Sequence, residues 1–539
     1  MFRQSFTIFV LALNLLATTA WAGRRKPREV TVAVMSINDF HSGFVRDDFK
    51  RVPGAPALLQ TIDSLRQAYP YHLVLASGDN FGGSYFNSAT GGVLMPLLFD
   101  RLGITVSALG NHEFDEGQQR LGRKWADSPC RPEDFRLDYV CANVRTDDGL
   151  CPDFVRPYAI RHIPIGPKQS LKVALVGLIT SSTAIQASKS KLRGVQFDGR
   201  YSDVLDSLSR LSDYAAEVPT ADLQILLTHI GTSMDGDKAV WDDADEAHIR
   251  DLDDPMWDGI FTAHLHEAVE GRVGKLEYPV VQGSWHGQCV SLIKYRINLK
   301  TRKIVGVETE LCPVRPSDQL TPRAAALKAT IDSVLVCTKT PGGTSIGERL
   351  THTDRTLIHS RQNNTRQTLM GSLVCQSYAE CVRRAYGLGD SAIVVGVSHF
   401  GSIRAGFTAG DISVMDVGES LPFANSIECF RFNGRLLRNL LAFGLHNVRF
   451  GRIQTSWLDL ETDSEGRLTT ISYVGPDGQR RPIADDTPLI LAADEYMTTG
   501  GDGYSTSLFP RDCVDKTHAD RLPTTTDAFI NYLRGRKID

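Results

Sequence analysis

Six short runs of β-branched and apolar residues punctuate the first half of the chain, at 30–37, 73–76, 106–109, 173–179, 223–227 and 259–262. Runs this short, apolar at consecutive positions, read as strands buried on both faces. Between them lie amphipathic stretches such as 55–68, where apolar residues recur at helical spacing. The alternation predicts an α/β domain of layered sheets and helices. The second half reads differently, with helical patterning at 368–386, a strand at 392–397 and a helix at 436–443. Between the halves, Cys312-Pro-Val-Arg-Pro is irregular, 321–336 reads as a helix with Pro322 in its first turn, and Pro341-Gly342-Gly343 stops it. The expected division is therefore a first domain at 28–315, a connector with its helix at 316–343, and a second domain at 344–535.

Length and charge narrow the functional classes. A chain of 539 residues has room for two full-sized cores. Its 42% hydrophobic and 23% charged residues exclude wholesale disorder and a polytopic membrane protein. With 59 basic against 63 acidic side chains, it lacks the electrostatic footprint of a protein that grips a nucleic-acid duplex. At the N-terminus, Arg3 precedes an apolar run at 6–16 and small residues ending Ala20-Trp21-Ala22. Residues 1–22 thus read as a cleavable secretory signal, implying export to a periplasm or beyond the cell and no membrane anchor after cleavage. An exported chain with ten cysteines can hold disulfides, and the closely spaced Cys130, Cys141 and Cys151 are expected to include a pair. No Cys-x-x-Cys occurs, so neither a zinc ribbon nor a thioredoxin-type motif is present.

The candidate chemistry lies where the strands end. The runs lead into Asn38-Asp39-Phe40-His41, Ser77-Gly78-Asp79, Gly110-Asn111-His112-Glu113-Phe114-Asp115, Thr228-His229 and Ala263-His264-Leu265-His266. Ligands of α/β sheets bind outside the carboxyl ends of the strands, so five clusters at five strand ends should converge. Asp39, His41, Asp79, Asn111, His229, His264 and His266 offer carboxylate, amide and imidazole donors, a set suited to Zn²⁺, Mn²⁺ or similar ions. His112 and Asp115 stand beside Asn111, and a histidine held by a carboxylate can stabilise charge or protonate a departing oxygen. Competing motifs fail on context. Gly343-Thr-Ser-Ile-Gly347 follows Lys339-Thr-Pro-Gly rather than the hydrophobic strand a nucleophile elbow needs, and there is no P-loop. In the second domain, Arg404 could pair with phosphate or carboxylate. Phe423 and Tyr496 could sandwich a flat ring, with Asp502 of Gly500-Gly-Asp-Gly503 bonding a hydroxyl nearby.

Together these motifs resemble the secreted 5′-nucleotidase family, also called the UDP-sugar hydrolase/5′-nucleotidase family, over roughly residues 30–530. The resemblance implies a layered αββα metallophosphoesterase domain followed by a smaller α+β substrate-binding domain. It implies two divalent metal ions (Zn, Mn or Co), one on Asp39, His41 and His266, the other on Asn111, His229 and His264, with Asp79 bridging. His112 with Asp115 would be the catalytic dyad, and Phe423 and Tyr496 the base-stacking pair. Asp502 would be the ribose-binding acid and Arg404 a substrate arginine. Arg366 would stand for a second such arginine, and His399 stands where relatives usually carry asparagine. The family's second domain swings about the connecting helix. The activity implied is release of phosphate from nucleoside 5′-monophosphates by a monomer or dimer acting on a small-molecule substrate. UDP-sugar hydrolysis or 2′,3′-cyclic-nucleotide cleavage at the same metals is the alternative. A carrier-protein thiosulfohydrolase and a binding protein without turnover lie outside that class.

Overall fold

The computed structural model describes residues 29–538 except 49, 187–190, 243–256, 341, 361–363 and 448. The expected signal at 1–22 lies outside the described residues. The N-terminal half is organised by two sheets whose strands begin with β1 (Glu29–Ile37), β2 (His72–Ala76), β3 (Ile104–Ala108), β4 (Asp138–Val140) and β5 (Val155–Arg156). There follow β6 (Tyr158–Gly166), β7 (Gln169–Ile179), β8 (Leu223–His229) and β9 (Gly259–Phe261). The last four are β10 (Ala268–Val273), β11 (Tyr278–Gly283), β12 (Cys289–Asn298) and β13 (Lys303–Pro313). One sheet runs β13-β12-β1-β2-β3-β4-β5 and the other β10-β11-β9-β8-β7-β6. The central strands are parallel: Ala33 pairs with His72 and Ile37 with Ala76, while Leu223 pairs with Val173 and His229 with Ile179.

The period of two along each strand explains the layers. Val32 and Val34 of β1 face Val173, Leu175, Leu223 and Ile225 of the opposite sheet. Ala33 and Met35 point the other way, onto Leu58, Leu59 and Ile62 of helix α1 (Ala55–Ala68). In β7, Ala174, Val176 and Leu178 similarly pack against Tyr201, Val204 and Leu205 outside the second sheet. Strands buried on both faces along most of their length need apolar residues at most positions, which is why these segments read as predominantly apolar runs. The architecture is helix, sheet, sheet, helix.

Helix α2 (Tyr85–Thr90) follows the second strand end, and helix α3 (Pro322–Cys337) joins the halves. Thr321 caps α3 by accepting from the Ala324 N–H, and Leu327 and Ile331 anchor it on the first domain's core. The second domain has a four-stranded sheet ordered from Ile427–Asn433 through Pro488–Asp494 and Val394–Ser398 to Gln454–Thr455. Helix α4 (Leu369–Ala385) covers it through Met370, Val374 and Tyr378, and helix α5 (Val414–Ser420) lies at the boundary with the first domain. All ten cysteines are free thiols, so the disulfide expected among Cys130, Cys141 and Cys151 is not formed. Cys141 is buried in the core and Cys151 is partly buried against the same cluster. Among the described residues, no helix is long and apolar enough to cross a membrane.

Candidate metal centre and substrate cavity

Because β1, β2, β3, β8 and β9 are parallel, their carboxyl ends open onto one edge of the two sheets, and the loops there bring the candidate ligands together. Donor atoms of Asp39, His41 and His266 lie within 4.8 Å of one another, as do those of Asp79, His229 and His264. His41, Asp79 and His112 form a third set, so the sets overlap on Asp79 and His41. His229 Nε2 stands 3.1 Å from Asp79 Oδ2, His266 Nε2 3.4 Å from Asp39 Oδ1, and His41 Nε2 3.0 Å from His266 Nε2. Asp39, His41, Asp79, His264 and His266 all adopt a left-handed backbone, with φ between 45° and 85°. Such conformations are uncommon for non-glycine residues and persist where surrounding structure enforces them.

The supporting contacts are specific. Asp79 Oδ1 accepts from the His112 N–H at 2.8 Å, and Asp39 accepts from the His264 N–H at 3.0 Å and from Asn38 Nδ2 at 2.7 Å. Glu113 is buried and takes the N–H groups of Asp79, Asn80 and Gly110 at 2.7–2.8 Å. Burial first, then the nearby Asp79 charge, raises the Glu113 pKa to about 7. Glycine is required beside the cluster: a Cβ on Gly110 would meet Asp79 Oδ1 at 2.1 Å, and one on Gly78 would meet His229 Nδ1 at 2.8 Å.

The residues present fit a metal centre. His229 Nδ1 lies 2.8 Å from the Ser77 carbonyl, an arrangement that leaves the buried Nε2 facing the cluster, 3.1 Å from Asp79 Oδ2. The buried Asn111 Oδ1 has no hydrogen-bond partner among the described residues. Burial opposes protonation of His229, yet Asp79 and Asp39 together outweigh it and lift its pKa to about 10. Burial likewise opposes ionisation of Asp79, yet His229, His112 and His41 keep its carboxyl well below the usual range. The field at this cluster therefore favours added positive charge, and imidazole, amide and carboxylate donors together suit a borderline divalent cation.

Beside the cluster, His112 Nδ1 pairs with Asp115 Oδ2 at 2.8 Å. Burial works against protonation here too, but the Asp115 hydrogen bond and the Asp79 charge raise the pKa to about 9. The Asp115 contact and the Asp79 charge thus both favour the protonated imidazole.

The second domain contains a cavity of about 670 Å³. His399, Arg404, Phe423, Tyr496 and Asp502 all line it, with Phe423 and Tyr496 about half exposed. Arg404 lies over the Phe423 ring, 5.8 Å from its centroid. Arg366 does not line it. The turn carrying Arg366 is fastened by Gln367 Nε2 to the Thr455 carbonyl and by Gln454 Nε2 to the Arg366 carbonyl, and the side chain is exposed. Arg449 and Phe450 line the wall instead.

Sequence reading missed several contributors. Glu113 was visible inside the Gly-Asn-His-Glu motif, but its role as an acceptor for three N–H groups is not. Trp285 stacks on His266 with centroids 5.0 Å apart, and the neighbouring His286 packs 5.8 Å from His41; no motif marked either. His359, Asn364, Arg449 and Phe450 reach the cavity from separate loops.

Comparison with known proteins adds an independent line. The calcineurin-like phosphoesterase family model matches residues 32–268, and the 5′-nucleotidase C-terminal domain model matches residues 345–508. The trifunctional nucleotide phosphoesterase protein YfkN of Bacillus subtilis is 24% identical over 510 residues, covering 88% of this chain. The chain spans only 32% of that relative's length. The 5′-nucleotidase of Vibrio cholerae is 23% identical over 521 residues, covering 88% of this chain and 85% of the relative. The crystal structure of a 5′-nucleotidase precursor from Thermus thermophilus shares the fold with a TM-score of 0.57 at 19% identity, covering 94% of this chain and 97% of that one. Two successive domain matches thus identify the chain as a calcineurin-like phosphoesterase domain followed by a 5′-nucleotidase C-terminal domain.

Proposed function

We propose that the protein is an exported, metal-dependent phosphohydrolase that releases phosphate from nucleoside 5′-monophosphates. The observation that carries this is the overlap of two donor sets on Asp79, with the His112–Asp115 pair against the same carboxylate. Asp39, His41 and His266 would hold one divalent cation and Asn111, His229 and His264 a second, with Asp79 shared. Such ions, whether Zn²⁺, Mn²⁺ or Co²⁺, supply Lewis-acid polarisation of phosphoryl oxygens and acidify water.

The remaining roles belong to this chain's own groups. Asp115 holds His112 Nδ1, so the imidazolium presents its Nε2–H to a phosphoryl or leaving oxygen. Phe423 and Tyr496 take a nucleobase between them, Asp502 accepts from a sugar hydroxyl, and Arg404 pairs with an anionic group. The names of the Vibrio and Bacillus relatives support nucleotide substrates. The second reading is hydrolysis of UDP-sugars or 2′,3′-cyclic nucleotides at the same metals. Export rests on the apolar segment at 6–16 and the small residues after it.

The test is phosphate release by the purified chain, stripped with chelator and resupplied separately with Mn²⁺, Zn²⁺ or Co²⁺. The substrates are AMP, UMP, UDP-glucose and 2′,3′-cyclic AMP, the last two coupled to a phosphatase. Metal-restored turnover of AMP or UMP is the expected result. Turnover of the diesters alone would select the second reading, and none with any pairing would overturn both.

A further inference from the structure

Among the described residues, Asp502 is the only carboxylate lining the second-domain cavity, and its two oxygens are not equivalent. Oδ2 receives His399 Nδ1 at 2.7 Å. The Gly401 backbone closes on the same oxygen, since a Cβ there would stand 2.8 Å from it. Oδ1 faces the Tyr496 hydroxyl, which donates to it at 3.3 Å. His399 itself is held in place: it is 4% exposed, its ring lies 5.0 Å from that of Tyr496, and its Nε2 points toward Asp494 Oδ1 at 3.9 Å. The Asp502 loop is fixed as well, by Asn447 Nδ2 donating to its carbonyl at 3.1 Å and by a left-handed backbone at φ 48°.

A carboxylate open on both sides can accept the two hydroxyls of a ribose cis-diol, one on each oxygen, and such charge-assisted bonds are the strongly discriminating ones. Here Oδ2 takes the short 2.7 Å bond from a buried ring, whereas the longer, exposed 3.3 Å bond from Tyr496 leaves Oδ1 able to accept from a ligand. We propose that His399 is a positioning residue that restricts Asp502 to reading a single sugar hydroxyl, so that the cavity accepts 2′-deoxynucleoside 5′-monophosphates nearly as well as ribonucleotides. This rests on the nucleoside reading of the cavity given above. When the 2′-hydroxyl is missing, Oδ1 retains the 3′-hydroxyl and no buried acceptor is left unpaired, which is the circumstance in which discrimination stays small.

Binding and turnover test this separately. Titration calorimetry with adenosine and 2′-deoxyadenosine needs no chemistry and is expected to give dissociation constants within about threefold of each other, against the tenfold or more of a site that must leave a charged acceptor unpaired. The ratio of kcat/KM for AMP over dAMP should follow, through KM rather than kcat. In His399→Ala the short bond to Oδ2 is lost, which frees that oxygen to accept from a sugar hydroxyl on the side the ring occupied, so ribose preference should rise to about tenfold or more. In His399→Asn, whose amide nitrogen sits where Nδ1 sat, the wild-type ratio should return. Binding of adenosine with rejection of 2′-deoxyadenosine by the wild-type protein overturns this proposal alone, and so does an unchanged ratio in a folded His399→Ala protein. Failure of both nucleosides to bind would overturn the nucleoside reading and this proposal with it.

Discussion

Asp115 and Glu113 are two residues apart on one short turn yet do different work. Asp115 lies on the exposed side of the site, where it holds His112 Nδ1. Asp115→Asn should therefore retain bound metal and fold while turnover falls by about a hundredfold or more, as expected when a general acid loses the partner that orients it and keeps it protonated. Metal content by elemental analysis beside kcat would check it, and unchanged kcat would remove Asp115 from the mechanism. Glu113 faces inward and accepts from three backbone N–H groups around Asp79. In Glu113→Gln, the amide NH₂ must face at least one of those donors. That substitution should destabilise the fold by about 2 kcal/mol and weaken metal binding by about tenfold, since the Asp79 loop loses its anchor. Thermal unfolding and competition with a metal indicator would read the two effects independently.

At the level of elements, the strand ends place the metal ligands, whereas the cavity depends on how loops are tied to helix starts. His359 is one such tie: it links Thr368, the N-cap of α4, to the Phe400 carbonyl beside the cavity. Burial pushes its pKa down from 6.5 to about 4, only partly offset by the bond to Phe400. Its folded pKa is thus below its unfolded one, and the unfolded state binds the extra proton as pH falls. The stability this neutral histidine contributes is fully present above pH 6.5 and declines as pH drops toward 4, by up to about 3 kcal/mol. Melting curves of the wild type and His359→Gln between pH 7 and 4 should show the wild type losing its advantage in that window. Parallel slopes would mean that His359 is not the group responsible.

At the scale of the whole molecule, the two domains meet where α5 lies on α2. Glu419 accepts from the Tyr85 N–H at 2.8 Å and pairs with Lys50 at 2.6 Å. A Cβ on Gly418 would overlap the Tyr85 ring at 2.1 Å, and Met415 enters the first domain's core. This contact is only a few residues from the metal cluster, because Gly83 packs against His41 and Gly82 against Asp115. Glu419→Ala leaves Lys50 and the helix N–H without a partner and should lower stability by about 2 kcal/mol. Gly418→Ala should change the spacing of the domains, visible as an altered radius of gyration in small-angle scattering; an unchanged radius would show that Tyr85 simply turns aside. None of these interdomain residues was marked by a motif, because Gly418, Glu419 and Tyr85 acquire meaning only once two distant segments meet. The same reason separates the legible from the hidden elsewhere. The runs at 30–37 and 173–179 declared buried strands because double-sided burial demands a predominantly apolar sequence, and the ligand-rich clusters stood out because each follows its strand directly. Those features are local, so the chain alone determined them; that Phe423, Tyr496 and Asp502 line one cavity was decided by the fold. Arg366 lies away from the second-domain cavity, on a turn whose carbonyl is held by Gln454, 88 residues further along the chain. That His399 occupies one oxygen of Asp502 was likewise decided only in three dimensions, where a strand end and a glycine loop 103 residues apart close on each other.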